Sequence, residues 1–278
     1  VITGVYQGYM DAANHEKAES GVKTGFGPVD QYLMELGKGD FVLVGARPGM
    51  GKTAFALNVA ANVAKSSGKT VCIFSLEMSA EQLVNRMMAS EAMVDSRKLR
   101  TGEISGDEWT RLADAAAALS RTSILIDDST DVNPTQMKAK LRRVKDLGLM
   151  QSGTKTESRV QEVSTITRNL KIMAKSLGVP VLCCAQLSRG TEGRTDKRPQ
   201  LSDLRESGSI EQDADMVLFL YRGDYYDNDS KESQGGGPNT VEILIAKNRH
   251  GAVANVKMAW LPQYTKFISL SNDEPPAV

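Results

Sequence analysis

The run Phe41-Val42-Leu43-Val44-Gly45-Ala46-Arg47-Pro48-Gly49-Met50-Gly51-Lys52-Thr53 carries the clearest structural message in the chain. Four apolar residues, two of them valine, read as a buried strand. A glycine-rich turn follows, and then a helix predicted from about Lys52 to Lys65. Ala46 to Thr53 matches the phosphate-loop pattern except that alanine stands at its first glycine. Such a match is decided by context, and here it follows a strand and opens a helix. Glycines let backbone N–H groups turn inward around phosphate oxygens, and the helix N-terminus adds partial positive charge. Lys52 is expected to reach the β- and γ-phosphates, and the Thr53 hydroxyl to ligate Mg²⁺. An ordinary glycine-rich turn before a helix is the other reading, and Gly51-Lys52-Thr53 at the required place argues against it. The candidate nucleotide contacts are Arg47, Pro48, Gly49, Met50, Gly51, Lys52, Thr53 and Ala54.

Outward from this stretch, apolar runs alternate with helical patterns. Thr70–Ser75, Ser123–Ile126, Val179–Cys184 and Met216–Tyr221 read as strands. Ala80–Ala92, Gly106–Leu119, Asn133 to about Val144 and Val160–Leu177 read as helices. This alternation predicts an α/β fold with a mostly parallel central sheet flanked by helices. Val241–Ala246, Ala254–Trp260 and Lys266–Leu270 are expected to add antiparallel strands at the C-terminal end. Residues 1–23 read as a helix-like segment plus linker, 24–272 as the main domain and 273–278 as a tail.

Lys plus Arg and Asp plus Glu number 34 each. A net charge of zero makes no global case for nucleic acid, so any such binding has to come from a local basic surface or from a ring that concentrates charge in a channel. No apolar run approaches the ~18 residues a membrane span needs. Cys72, Cys183 and Cys184 all sit in apolar runs, which reads as buried reduced thiols and a cytoplasmic setting. A strand over this run disfavours a disulfide between Cys183 and Cys184, since neighbours on a strand face opposite sides.

Four features bear on chemistry. Glu77 stands just past the strand beside the phosphate-loop strand, where a carboxylate could polarise a water for in-line attack. It could equally be an acid favoured in the first turn of the next helix. Gln186 follows another strand and could hydrogen-bond a γ-phosphate, or simply face the loop. Lys247 and Arg249 alternate, as on one solvated face of a strand. Arg189, Arg194, Lys197 and Arg198 make the loop after Ser188 locally basic. With no aromatic platform among them, they suit backbone contact rather than base reading.

Several motifs together resemble the C-terminal domain of DnaB-type replicative DNA helicases. They are Thr24-Gly25-Phe26, the phosphate loop, Phe74-Ser75-Leu76-Glu77-Met78-Ser79, Leu99-Arg100-Thr101-Gly102, Ala185-Gln186-Leu187-Ser188-Arg189, Asp203 through Asp215, and Ile245-Ala246-Lys247-Asn248-Arg249. The match runs in family order from about residue 20 to 270. The resemblance implies a RecA-like ATPase that translocates on single-stranded DNA as a hexameric ring, 5′ to 3′. Its cofactors would be ATP and Mg²⁺, and its further partners a primase and a helicase loader. Glu77 would then be the catalytic base and Gln186 the γ-phosphate sensor. Arg249, with Lys247 beside it, would be an arginine finger reaching the neighbouring subunit. Arg205, Glu206 and Gly208 would hold the DNA strand in a central pore, and the N-terminal helix would dock on an adjacent subunit.

Two other readings stand beside this one: a recombinase-like or clock-type ATPase without unwinding, and a binding or loader module without turnover. The Arg205–Asp215 run argues against the first, and Lys52, Thr53, Glu77 and Arg249 against the second.

The chain departs from the resemblance in two places. The family's N-terminal domain has no counterpart here. The family also carries an apolar strand ending in a metal-associated Asp before the long helix, where this chain reads Lys145-Asp146-Leu147-Gly148-Leu149-Met150-Gln151-Ser152-Gly153. That strand is expected to be absent. Truncating one large core residue costs about 2–5 kcal/mol, and domains hold only about 5–15 kcal/mol in reserve. A sheet without its central strand should not fold, so roughly eight residues are expected to be missing between Leu149 and Gln151. Asp127 and Asp128, which end an earlier apolar run, are not given the metal-binding role.

Overall fold

In the computed structural model, the residues described are 21–130, 132–144, 147–152, 160–187, 194, 196–207, 210–223 and 239–270. Short strands β1 (Gly21–Val22) and β2 (Leu36–Gly37) pair antiparallel around helix α1 (Gly27–Leu33). Strand β3 (Phe41–Ala46) leads into α2 (Lys52–Ser67), and β4 (Thr70–Ser75) into α3 (Ala80–Ala92), α4 (Ser96–Thr101) and α5 (Gly106–Ser120). The alternation continues through β5 (Ile124–Asp127), α6 (Pro134–Leu141), β6 (Leu147–Ser152), α7 (Val160–Leu177) and β7 (Val181–Gln186). A 3-10 turn over Leu201–Ser207 and the short helix α8 (Ile210–Asp213) precede β8 (Met216–Tyr221). Strands β9 (Asn239–Asn248), β10 (Ala254–Leu261) and β11 (Lys266–Ser269) close the described chain.

The helices start where side chains can satisfy their free amides. Ser79 with Gln82, Ser105 with Glu108, and Asn133 with Gln136 form reciprocal capping boxes at α3, α5 and α6. Nine strands make one sheet in the order β11-β10-β9-β8-β3-β7-β6-β4-β5. From β8 to β5 neighbours run parallel, while β9, β10 and β11 are antiparallel, as the sequence predicts. Every residue of β3 is buried, the pattern of a parallel strand covered on both faces. Val42, Val44 and Cys184 face one core with α2, while Phe41, Leu43 and Cys183 face the other with α7. The adjacent cysteines therefore do point apart, and all three are free and buried.

The expectation of an absent central strand is corrected. Leu147–Ser152 forms β6, in parallel register with β4 (Leu149 opposite Cys72) and with β7 (Leu149 opposite Val181). The strand runs unbroken through Leu149, Met150 and Gln151, so the sheet closes with no residues added. The segment read as a flank supplies enough apolar residues for a short strand, and its neighbours on both sides provide the ladder. Gly21 and Val22, read as linker, are a strand with Val22 buried. Residues 1–20, 188–193, 224–238 and 271–278 lie outside the described residues.

A proline in a central strand removes a ladder hydrogen bond and clashes with the neighbouring chain. Met150→Pro should therefore abolish the cooperative thermal transition followed by circular dichroism. A melt within a few degrees of the parent would place residues 147–152 outside the sheet.

Candidate nucleotide site

The site is built where β3 ends. Gly49 and Gly51 have φ of 79° and 89°, in the left-handed region that favours glycine. Gly51 is also pinned sterically, since a Cβ there would lie 3.1 Å from the Phe267 ring. It is the N-cap of α2, in a left-handed conformation and with no side-chain cap. The first turn of α2 has no acidic residue either. Its free amides and positive dipole end therefore have no capping partner among the described residues and suit an anion.

Three contacts hold this loop in shape. Leu187 N–H donates to the Ala46 carbonyl at 3.1 Å, and the Arg47 guanidinium donates to the Leu187 carbonyl at 3.1 Å. On the other side, Asn58 of α2 accepts from Phe267 N–H at 2.8 Å. The Phe267 ring stands edge-on to Phe55 at 5.4 Å and lies against Trp260 at 4.5 Å. The β10–β11 hairpin is thus fastened to the phosphate-loop helix.

A cavity of about 690 Å³ opens at this edge, lined by Arg47, Pro48, Gly49, Gly51, Lys52, Thr53, Ala54, Glu77 and Gln186. The sequence-predicted contacts converge there with one exception: Met50 is fully buried and belongs to the core. Burial pushes the Cys184 thiol up to about 11, and it feels the opposing charges of Lys52 and Glu77.

The other candidates lie elsewhere. Arg249 N–H donates to the Asp215 carbonyl, and Asp215 N–H to the Phe41 carbonyl, which sets Arg249 level with the start of β3. The loop begins at the far end of that strand, roughly 17 Å away at ~3.3 Å per residue. Lys247 and Arg249 are therefore not part of their own chain's cavity. Arg205 and Glu206 fall in the 3-10 turn Leu201–Ser207, while Gly208 and Arg189 lie outside the described residues.

Gln82, Asn85, Arg86, Arg100, Trp260 and Thr265 also line the cavity and were not anticipated. The spacing of Gln82, Asn85 and Arg86 on α3 was a readable signal, because residues three and four apart share a helix face. Trp260 and Thr265 arrive from the far end of the chain, and no local pattern announces them.

Asp127 and Asp128 are committed to structure. Asp127 pairs with Lys140 and accepts from the Ser129 hydroxyl at 2.6 Å, and Asp128 caps α3 by accepting from Ala80 N–H at 2.8 Å. Strand β6 ends in Gln151-Ser152, opposite Cys183-Cys184 on β7. The cavity thus offers a divalent cation the Thr53 hydroxyl and the Glu77 carboxylate, and β6 brings no acid. Mg²⁺ is usually held by one or two carboxylates together with phosphates and water, so the fit here rests on Thr53, Glu77 and the nucleotide itself.

A parallel sheet, a glycine-rich loop opening a helix, and a carboxylate and an amide at the neighbouring strand ends define a RecA-like nucleotide-binding domain. The chain belongs to the DnaB-like helicase C-terminal domain family, which it matches over residues 21–269. It is 44% identical to the replicative DNA helicase DnaB of Geobacillus stearothermophilus over 282 aligned positions, covering 97% of this chain and 61% of that protein. With the DnaB of Haemophilus influenzae the identity is 42%, covering 91% of this chain and 56% of the relative. The chain thus spans roughly three fifths of the length of these relatives. Among solved structures, one described as an ATPase domain superposes with a TM-score of 0.87 at 34% identity, covering 97% of this chain and 98% of that one. A DnaB-like replicative helicase, from a structure that describes its interactions with primase, superposes with a TM-score of 0.86 at 34% identity, covering 98% of this chain and 67% of that one.

Position 152 pairs with Cys184 on β7 and with Ser75 on β4, the strands whose ends lead to Gln186 and Glu77. Ser152→Asp should therefore supply the missing acid and lower the Mg²⁺ concentration for half-maximal ATP hydrolysis several-fold. An unchanged Mg²⁺ titration would mean that β6 takes no part in holding the metal.

Proposed function

We infer that this chain is the ATP-driven motor domain of a replicative DNA helicase, acting as a homo-hexameric ring on single-stranded DNA with 5′-to-3′ polarity. One observation supports this above the rest. The phosphate loop, Glu77 and Gln186 share one end of the sheet, while Lys247 and Arg249 sit at the other. A subunit arranged so cannot complete its own site, and a neighbour in a ring can. Lys52 and the α2 amides bind the triphosphate, Glu77 orients and deprotonates the attacking water, and Gln186 contacts the γ-phosphate. Arg249 of the adjacent protomer stabilises the charge that develops at transfer, with Lys247 in support. Thr53 would help hold Mg²⁺, which when bound would neutralise phosphate charge.

Arg205, Glu206 and Gly208, with Arg189, line the pore and follow the DNA backbone. No helix among the described residues is long and apolar enough to cross a membrane, and the reading places the protein in the cytoplasm. A primase is a proposed partner, on the likeness to a helicase whose structure describes its primase contacts. A helicase loader is proposed on the family resemblance. Residues 24–272 form the motor unit, residues 1–23 its linker and 273–278 its tail.

The acid-free end of β6 favours a second reading, a ring that binds nucleotide and DNA but turns over slowly. One experiment separates the two: ATP hydrolysis with and without oligo-dT, together with forked-duplex unwinding, for the parent, Lys52→Ala and Arg249→Ala. The motor reading expects DNA-stimulated turnover and unwinding in the parent, lost in both variants, with Arg249→Ala retaining nucleotide binding. Its loss of rate should be about 10³-fold or more, the range of arginine fingers. Binding without turnover in the parent would establish the second reading. Turnover that persists in Arg249→Ala would refute the finger.

A further inference from the structure

Arg249 is held by its own chain in an unusually complete way. The chain around it is tied down at three successive residues. The Asn248 side-chain amide donates to the Tyr32 carbonyl at 3.0 Å, the Arg249 backbone N–H donates to the Asp215 carbonyl at 3.0 Å, and the His250 ring meets Asp40 at 3.0 Å. The side chain is half exposed and has two contacts: Nη1 donates to Asp215 Oδ1 at 3.1 Å and Nη2 to the Gln212 carbonyl at 3.0 Å. Lys247 Nζ donates to the Glu211 carbonyl at 2.6 Å. Lys247 near the end of β9 and Arg249 just past it therefore both grip α8, the four-residue helix that follows the 3-10 turn Leu201–Ser207.

Asp215 is the buried centre of this arrangement, with its side chain 5% exposed. Its two oxygens have separate tasks. Oδ2 accepts from Phe41 N–H at 2.8 Å and pairs with Lys171 of α7, which locks the carboxylate to the core. Oδ1 points outward to Arg249. Burial alone would raise the Asp215 carboxyl, but the Lys171 and Phe41 hydrogen bonds and the Lys171 and Arg249 charges outweigh it and hold the group below the usual carboxylate range. The carboxylate is thus an anion held in one place, and the half-exposed guanidinium rests against it.

We propose that Asp215 is a positioning residue: its Oδ1, with the carbonyl of Gln212, presents Arg249 at the angle needed to reach a neighbouring subunit's nucleotide and ties that angle to the position of α8. The 3-10 turn Leu201–Ser207 packs against α8, so a bound strand that displaces the turn also shifts the seats of Arg249 and Lys247. This rests on the ring-motor reading above, in which Arg249 acts in trans. Cutting the Oδ1 contact leaves the phosphate loop intact and misaims a distant guanidinium, and misplacing a catalytic group by about 1 Å can cost about a hundredfold.

The test uses the full chain carrying Asp215→Asn, with Asp215→Glu as the charge-conserving companion. Affinity for mant-ATP should stay within about twofold, while oligo-dT-stimulated kcat falls roughly 10- to 100-fold in the Asn variant and less in the Glu variant. The decisive measurement mixes protomers. A Lys52→Ala protomer has a dead loop but an intact Asp215–Arg249 pair, which it can lend to the intact loop of an Asp215→Asn neighbour. Mixed rings should then hydrolyse ATP faster than the weighted mean of the two parents. Arg249→Ala mixed with Lys52→Ala is the reference. If the reference pair complements and the Asp215 pair does not, Asp215 serves only its own subunit and the proposal is overturned. If neither pair complements, the trans reading of Arg249 falls first. Should Asp215→Asn fail to fold, Asp215→Glu mixed with Lys52→Ala decides by the same criterion.

Discussion

The free amides at the start of α2 are the feature around which this domain is organised. A helix N-terminus without a capping side chain leaves donors with no partner, and several helices here avoid that state with capping boxes. Helix α2 starts instead on a left-handed glycine with neither cap nor acid. Its amides can be kept open only if the surroundings hold the loop without filling it. Strand β3, buried throughout, sets the direction. Leu187 fixes the first residues of the loop from β7, and Phe267 and Asn58 fix the helix from the C-terminal hairpin. The antiparallel strands at the end of the chain therefore act as the outer wall of a phosphate site built near its beginning.

A parallel sheet has two unlike ends, and this chain uses both. At one end, the turns after β3, β4 and β7 bring Lys52, Glu77 and Gln186 around a common cavity. At the other, the antiparallel return of β9 delivers Lys247 and Arg249 to the level of Phe41. The length of one strand separates the two, and no rotamer of an arginine spans it. A chemistry that needs both ends has to take them from different copies. The ion cluster at Asp215 follows from the same geometry. Arg249 is half exposed and costly to hold still, and a buried carboxylate anchored by Lys171 offers it one fixed contact.

Much of this was legible in the sequence, for definite reasons. The phosphate loop, its strand and its helix are local, and glycine spacing with apolar periodicity encodes them within a dozen residues. The boundaries of β4, α7 and β8 follow from the same periodicity. The short helices α1 and α4 escaped notice because seven and six residues carry too little pattern. Trp260 and Thr265 could not be foreseen in the cavity, since only the curl of the sheet brings them there. The cis contacts of Arg249 were hidden for a related reason. Alternation of Lys247 and Arg249 tells that they share a face, but nothing in it tells that α8 carbonyls wait on that face.

The instructive error concerns β6. The resemblance asks for a long apolar strand ending in an acid, and from its absence followed an expected break in the sheet. Yet the two demands come from different physics. A central parallel position asks for backbone donors and acceptors on both sides and side chains that tolerate burial, and Leu147-Gly148-Leu149-Met150-Gln151-Ser152 meets it over six residues. A metal asks for a carboxylate at one register position and is indifferent to the rest of the strand. Neighbours that are already well formed can recruit a short segment into the ladder, whereas nothing in the ladder can recruit a charge. The ladder therefore forms without an acid in β6, and Glu77 is left as the one carboxylate among the described residues lining the cavity.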